Sequence, residues 1–337
     1  METLTHQEWE KAAPGLHATA SAGLGWWKLR HSDLAATAVG DGLRDAFRLQ
    51  TLHARIHERR LIRALGILEA AGIRSVLAKG WSVARRYPSP GLRPYGDLDL
   101  HVAPEDHAAA AALLRAHEKE GLGVDLHRGV ASLGRPWADV AKHSVATSLE
   151  TSRVWVLGPE DHLALLCVHL LSHGAWRPLW LCDVALFLEE LPPDLDWTYL
   201  QSLPPRQVEE IRLVALLAQR LLGADLSRTP WRSHQGIPRW LAPAVLDAWG
   251  LGGHYSLTTP IALSEADPRR FLESVRVRWP NPVEATVRWR APYNSFPRWP
   301  FQLLDAVVRG GRALASAPRV VARRLRRRTR SDEGGGR

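Results

Sequence analysis

The chain of 337 residues has few of the features that mark membrane or secreted proteins. It contains no run of about 18 or more uncharged apolar residues, so no membrane-spanning helix is expected. No basic-then-apolar stretch opens it, so no secretory signal is expected, and cytoplasm is the default compartment. Its two cysteines, Cys167 and Cys182, are too few for a disulfide framework, and both lie among apolar neighbours as core thiols do. No internal repeat is found. Acidic residues are missing over 319–331, where Arg319, Arg323, Arg324, Arg326, Arg327, Arg328 and Arg330 precede the first acid, Asp332. The formal net charge is +9, so without these seven arginines the body is close to neutral. Residues 319–337 read as a solvated, disordered tail ending in Gly334-Gly335-Gly336; the alternative is a contact for anionic lipid, nucleic acid or an acidic protein.

Helical periodicity is strong over much of the rest. Leu43 to Ala71 reads as one long helix or two, and Ala70-Ala71-Gly72-Ile73 as a helix end feeding a strand, Ser75 to Ala78. An amphipathic helix is expected over Pro104 to Glu120. Ser144 to Val156 reads as a strand or hairpin closed by Gly158-Pro159. Further helices are expected over Asp161–His173, Trp180–Leu191, Pro205–Leu222 and Ala242–Trp249. Residues 1–40 read as mixed, and Trp279 to Pro300 as an irregular connection before a helix near Phe301.

The chemistry concentrates between Val76 and Val102. Lys79-Gly80 ends a short apolar run, and a turn-rich segment leads to Arg93-Pro94-Tyr95-Gly96-Asp97-Leu98-Asp99-Leu100. In a strand, residues two apart share a face, so Asp97 and Asp99 project together while Leu98 and Leu100 enter a core. Two adjacent carboxylates repel unless a proton or cation intervenes, and such a hard oxygen pair suits Mg²⁺ (or Mn²⁺) with phosphate oxygens completing its shell. Asp-x-Asp alone is weak: Asp194-Leu195-Asp196 has the same spacing but follows Leu191-Pro192-Pro193, and reads as a loop with either acid as a helix N-cap. Val124-Asp125-Leu126-His127 is a second alternating segment, expected beside the Asp97 strand in a β-α-β arrangement, and it supplies a third carboxylate. His127 shares the Asp125 face and is read either as a site residue or as a packing residue. Lys79 and Arg93 are the candidate phosphate partners, or alternatively partners of the carboxylates themselves.

The histidine pairs carry less. His169 and His173 lie one helical turn apart but lack a third zinc ligand and an intervening Glu, so His169 is expected to bond across the lobe to Asp183. His53 and His57 repeat the spacing on an arginine-rich, solvated face. Trp137, Trp155, Trp176 and Trp180 are expected to pack the two lobes together, a stacking platform for a base being the alternative.

Taken together, Leu77-Ala78-Lys79-Gly80, Gly91 to Leu100 and Val124-Asp125-Leu126-His127 resemble the uncharacterised nucleotidyltransferase family, often associated with bacterial natural-product gene neighbourhoods, within the superfamily typified by DNA polymerase beta and the kanamycin nucleotidyltransferases. Pro159-Glu160-Asp161-His162-Leu163, His169 and Trp180-Leu181-Cys182-Asp183 are similar to the helical region that follows the family's core. The resemblance implies an α+β fold, with a small mixed sheet of the polymerase-beta type and a larger helical lobe. The chain is read as an extension over 1–42, a nucleotidyltransferase core over 43–158, a helical domain over 159–318 and the tail over 319–337. By the resemblance, Asp97, Asp99 and Asp125 are the catalytic, metal-holding acids. Lys79, Gly80, Ser82 and Arg93 contact a nucleoside triphosphate, and the acceptor is a small molecule or peptide. One departure stands out: the superfamily places Gly-Ser or Gly-Gly closer to the paired acids, whereas here Trp81 follows Gly80. A non-catalytic nucleotide-binding module and an interaction protein acting through the tail are the alternative readings.

Overall fold

A computed structural model describes residues 4–231, 236–250 and 279–311. The chain forms two compact units, 1–237 and 238–337. The basic tail lies outside the described residues.

The first unit is α+β. Helices α1 (His6–Ala18), α2 (Ala22–Leu29) and α3 (Ala38–Ala70) come first. Residues 1–40, read from sequence as mixed, are thus largely helical. Thr5 and Glu8 form a reciprocal capping box that starts α1, and Trp9, Leu16, Leu29 and Leu43 gather in a small core between these helices. Gly91, in the turn before the acids, explains how the next segment docks. A Cβ there would overlap the Thr51 hydroxyl and the Phe47 carbonyl of α3, so only glycine lets the turn lie flat on that helix. The stretch Leu43–Ala71 forms one helix, since α3 runs 33 residues without a break.

The sheet follows. Its strands are β1 (Ser75–Leu77), β2 (Leu98–Val102), β3 (Val124–Arg128), β4 (Val145–Leu149) and β5 (Ser152–Val156), in the order β3-β2-β1-β5-β4. β2 and β3 are parallel, joined through α5 (His107–Ala116), as the β-α-β expectation requires; β1 runs antiparallel to β2 and parallel to β5, and β4 with β5 makes a hairpin. One face of the sheet is apolar. Leu98, Leu100 and Val102 join Leu61, Ala64, Leu65 and Leu68, which recur at helical spacing along α3.

Between β1 and β2 lies α4 (Trp81–Ala84), and α6 (Trp137–His143) precedes β4. After the sheet come α7 (Pro159–Ser172), α8 (Pro178–Glu189), α9 (Trp197–Gln201) and α10 (Pro205–Leu222), with α10 packed on both α7 and α8. Asp196 is the N-cap of α9, accepting from the Tyr199 amide at 2.9 Å, so the second acid of Asp194-Leu195-Asp196 serves a helix start.

In the second unit are α11 (Leu241–Gly250) and α12 (Pro282–Arg288), followed by a helix over 299–311. α12 falls where the sequence reads as irregular. Asn281 starts it by accepting from the Val283 and Glu284 amides, and buried Asp305 is held by Arg288 and Arg309, both at 2.6 Å. Among the described residues no helix is long and apolar enough to cross a membrane.

Candidate metal and nucleotide site

Parallel pairing in register sets the site. Asp99 lies opposite Asp125 and His101 opposite His127, so these four side chains form two adjacent rows on the face of the sheet away from the α3 core. β2 is buried along its length, which leaves Asp99 3 % exposed. β3 is the edge strand, and there Asp125 is exposed and His127 half-buried.

Asp99 is the centre. Its Oδ1 accepts from Lys79 Nζ at 2.9 Å and from His127 Nε2 at 3.2 Å, and the same nitrogen lies 3.2 Å from Asp125 Oδ2. Ligand atoms of Asp99, Asp125 and His127 all fall within 4.8 Å of one another. Burial alone would raise the Asp99 pKa, but the His127 and Lys79 hydrogen bonds outweigh it and bring the carboxyl down to about 2. His127 is shifted the other way: its hydrogen bond to Asp99 raises its pKa against the pull of burial. His101 is a separate case. Its Nδ1 donates to the Gly129 carbonyl at 2.7 Å, and burial lowers its pKa to about 4, so the ring is neutral and stacks on His127 with centroids 4.6 Å apart.

Lys79 reaches Asp99 through an unusual turn. Lys79 has φ +47° and Gly80 φ +49°, which a lysine adopts only at a cost, and the Lys79 carbonyl accepts from both the amide and the hydroxyl of Ser82. Trp81 turns inward from this turn. Its indole is 5 % exposed and belongs to the main core with Leu61, Leu65, Tyr95 and Leu98.

Not every residue expected at the site gathers there. Asp97 precedes β2, is exposed, and lies outside the Asp99–Asp125–His127 group. Ser82 is fully buried, with its hydroxyl on Lys79 O at 2.6 Å and beside His162 Nε2 at 3.3 Å. Arg93 is buried too. It forks onto Asp183 of α8, with its closest bond at 2.8 Å, while the Tyr87 hydroxyl donates to the same carboxylate. Arg93 and Asp183 are therefore neutralised by each other. His169 does not bond to Asp183, whose oxygens are occupied; it packs against Trp180 at 4.8 Å and His173 at 4.3 Å, and burial brings its pKa down to about 3. Asp161, in the second stretch of family-like residues, is fully buried and receives Arg135 and the Tyr199 hydroxyl, each at 3.0 Å. The helical-region acids thus tie the fold together.

His101 is the neighbour that strand patterning left unremarked. A signal exists in the repeat of Asp-Leu-His at 99–101 and 125–127, which parallel pairing brings side by side.

A family model described as "Uncharacterised nucleotidyltransferase" matches residues 5–223. The chain belongs to the uncharacterised nucleotidyltransferase family. No curated protein and no solved structure matches it. The family match lies wholly within the first unit and includes each of the site residues above. For a nucleotidyltransferase, divalent metal and nucleoside triphosphate are the general requirements, and the donor chemistry fits the metal. Two carboxylates and an imidazole offer ligand atoms within 4.8 Å of one another, and the Lys79 ammonium, 2.9 Å from Asp99, already places positive charge beside them.

Proposed function

We propose that the protein is a metal-dependent nucleotidyltransferase that moves a nucleoside monophosphate from a nucleoside triphosphate to a hydroxyl, amine or phosphate of a small-molecule or peptide acceptor. The observation that carries this reading is the Asp99–Asp125–His127 group beside Lys79, on in-register strands of a chain from this family. Asp99, with Asp97 at the exposed approach, is assigned to the Mg²⁺ or Mn²⁺ that meets the triphosphate, and Asp125 to a second ion shared with Asp99. Held there, a divalent ion would offset the charge that builds on the phosphates as the bond to pyrophosphate breaks.

The chain's own residues do the rest. Lys79, already poised 2.9 Å from Asp99, moves its ammonium to the phosphate oxygens. Gly80 offers a backbone turn free of any Cβ, which at that point would lie 3.3 Å from the Asp97 carbonyl. Buried Ser82 and Arg93 support that turn and its loop from behind. Asp125, exposed at the sheet edge, accepts the acceptor's proton as the acceptor attacks the α-phosphorus and pyrophosphate departs.

The test is pyrophosphate release from labelled triphosphates with Mg²⁺ or Mn²⁺ against a panel of acceptors. Asp125→Asn should lower turnover by about 10²–10⁴-fold with nucleotide affinity nearly constant. Equal loss of both would make Asp125 a primary ligand, and no loss of either would remove it from the site. Triphosphate binding without turnover on any acceptor would favour a binding module.

A further inference from the structure

The donor set differs from the all-oxygen shell that magnesium favours, because one of its three groups is an imidazole. We propose that Nε2 of His127 is itself a metal ligand and that the centre selects a first-row transition ion over Mg²⁺. The inference rests on the metal-site reading above and specifies its chemistry.

Distances make the argument. Nε2 of His127 lies 3.2 Å from Asp99 Oδ1 and 3.2 Å from Asp125 Oδ2. Two ligands at right angles on an ion with bonds of about 2.2 Å are about 3.1 Å apart, so the nitrogen already stands at ligand spacing from both carboxylates. His127 is also held in place. Its ring stacks on His101 at an interplanar angle of 19°, and His101 is 6 % exposed and fixed by the Gly129 carbonyl. The imidazole therefore loses little freedom on binding, in the manner of metal-ligating histidines whose orientation is set by neighbours. In the metal-free protein Nε2 carries a hydrogen and donates it to Asp99. Coordination uses the neutral ring with its hydrogen on Nδ1: a neutral ring shifts its hydrogen there through solvent, a cationic ring releases the Nε2 proton to solvent, and either way the Nε2 lone pair is left for the ion. Nitrogen in the shell favours transition ions, which bind imidazole more strongly than Mg²⁺ does.

The experiment loads the full-length protein with Mn²⁺ alone and records pulsed electron paramagnetic resonance, with Mg²⁺ competition in parallel. The expected result is a ¹⁴N coupling from a directly bound imidazole and an Mn²⁺ affinity at least about tenfold above that for Mg²⁺. In His127→Asn and His127→Gln, checked for folding by circular dichroism, the coupling should vanish and the preference should collapse while weaker Mn²⁺ binding remains. If Mn²⁺ binds, is lost in Asp99→Asn, and shows no nitrogen coupling, His127 is not a ligand and the inference falls while the metal site stands. A coupling that persists in both His127 variants overturns it equally. Absence of any Mn²⁺ binding overturns both this inference and the metal-site reading.

Discussion

Trp81, at the residue scale, shows why a departure from a motif need not be a loss of its chemistry. The residue after Gly80 is large, but the positive φ of Lys79 and Gly80 swings the chain so that the indole enters the core and only backbone faces the site. Trp81→Ser is expected to destabilise the first unit by about 3–5 kcal/mol, the range for deleting a buried aromatic. Urea unfolding measures that loss, and a parallel titration should find triphosphate affinity no tighter. A stable variant that binds markedly tighter would mean the indole occludes the site. A second expectation at this scale concerns pH in the metal-free protein. Asp99 is depressed to about 2, so its stabilisation, about 2 kcal/mol, is complete above about pH 4 and is lost as pH falls toward 2. His127 is raised, so its stabilisation is complete below about pH 6.5 and is lost as pH rises through its folded value. Asp99 is the partner in both. The stability difference between the parent and Asp99→Asn should therefore be greatest between about pH 4 and pH 6.5 and shrink on either side, and denaturant midpoints that differ equally at all pH values would refute the coupling.

Elements were readable in proportion to how locally they are specified. The alternation in 98–102 and 124–128 and the apolar stripe of α3 announce strands and helix because each follows from the period of its own residues. The repeated Asp-Leu-His became a site only through parallel register, which no single strand states. α2 was obscured by Gly23 and Gly25, poor helix formers that stand where α2 packs closely: a Cβ on Gly23 would overlap the Gly91 carbonyl, and one on Gly25 would crowd Leu16 and Leu43. α12 was hidden among prolines and tryptophans although Asn281-Pro282 is a fair N-terminal signal. Arg93 was unreadable for a different reason. Its partner Asp183 is 90 positions away, so an arginine near two acids looked like a phosphate contact when it is a tie between the loop before β2 and helix α8. Both partners are almost fully buried, so Arg93→Ala strands the Asp183 carboxylate and should cost about 3–5 kcal/mol. Arg93→Ala/Asp183→Ala should recover part of that loss. Thermal or denaturant unfolding of the two single variants and the double variant checks it, and strictly additive losses would show that the pair is not coupled.

For the whole molecule, the family match ends at residue 223, whereas the first compact unit continues to 237. The difference has a physical content. Beyond α10, Ala224 and Leu226 are buried, Thr229 donates to the carbonyls of Leu226 and Trp231, and the Trp231 indole meets Trp197 edge-on at 5.2 Å. These contacts cover the end of the helical layer and lie within the first unit. A chain cut at 237 should fold cooperatively and keep Mn²⁺ and triphosphate binding, since Lys79, Asp97, Asp99, Asp125 and His127 all precede the cut. A chain cut at 223 should be less stable by about 3–5 kcal/mol, the cost of losing a buried tryptophan, with further loss from the two smaller apolar side chains. Denaturant midpoints for the two truncations give the comparison. Equal midpoints would mean that the contacts of Ala224, Leu226 and Trp231 add little to the unit's stability, and failure of the longer chain to bind Mn²⁺ would mean that residues beyond 237 are needed for binding.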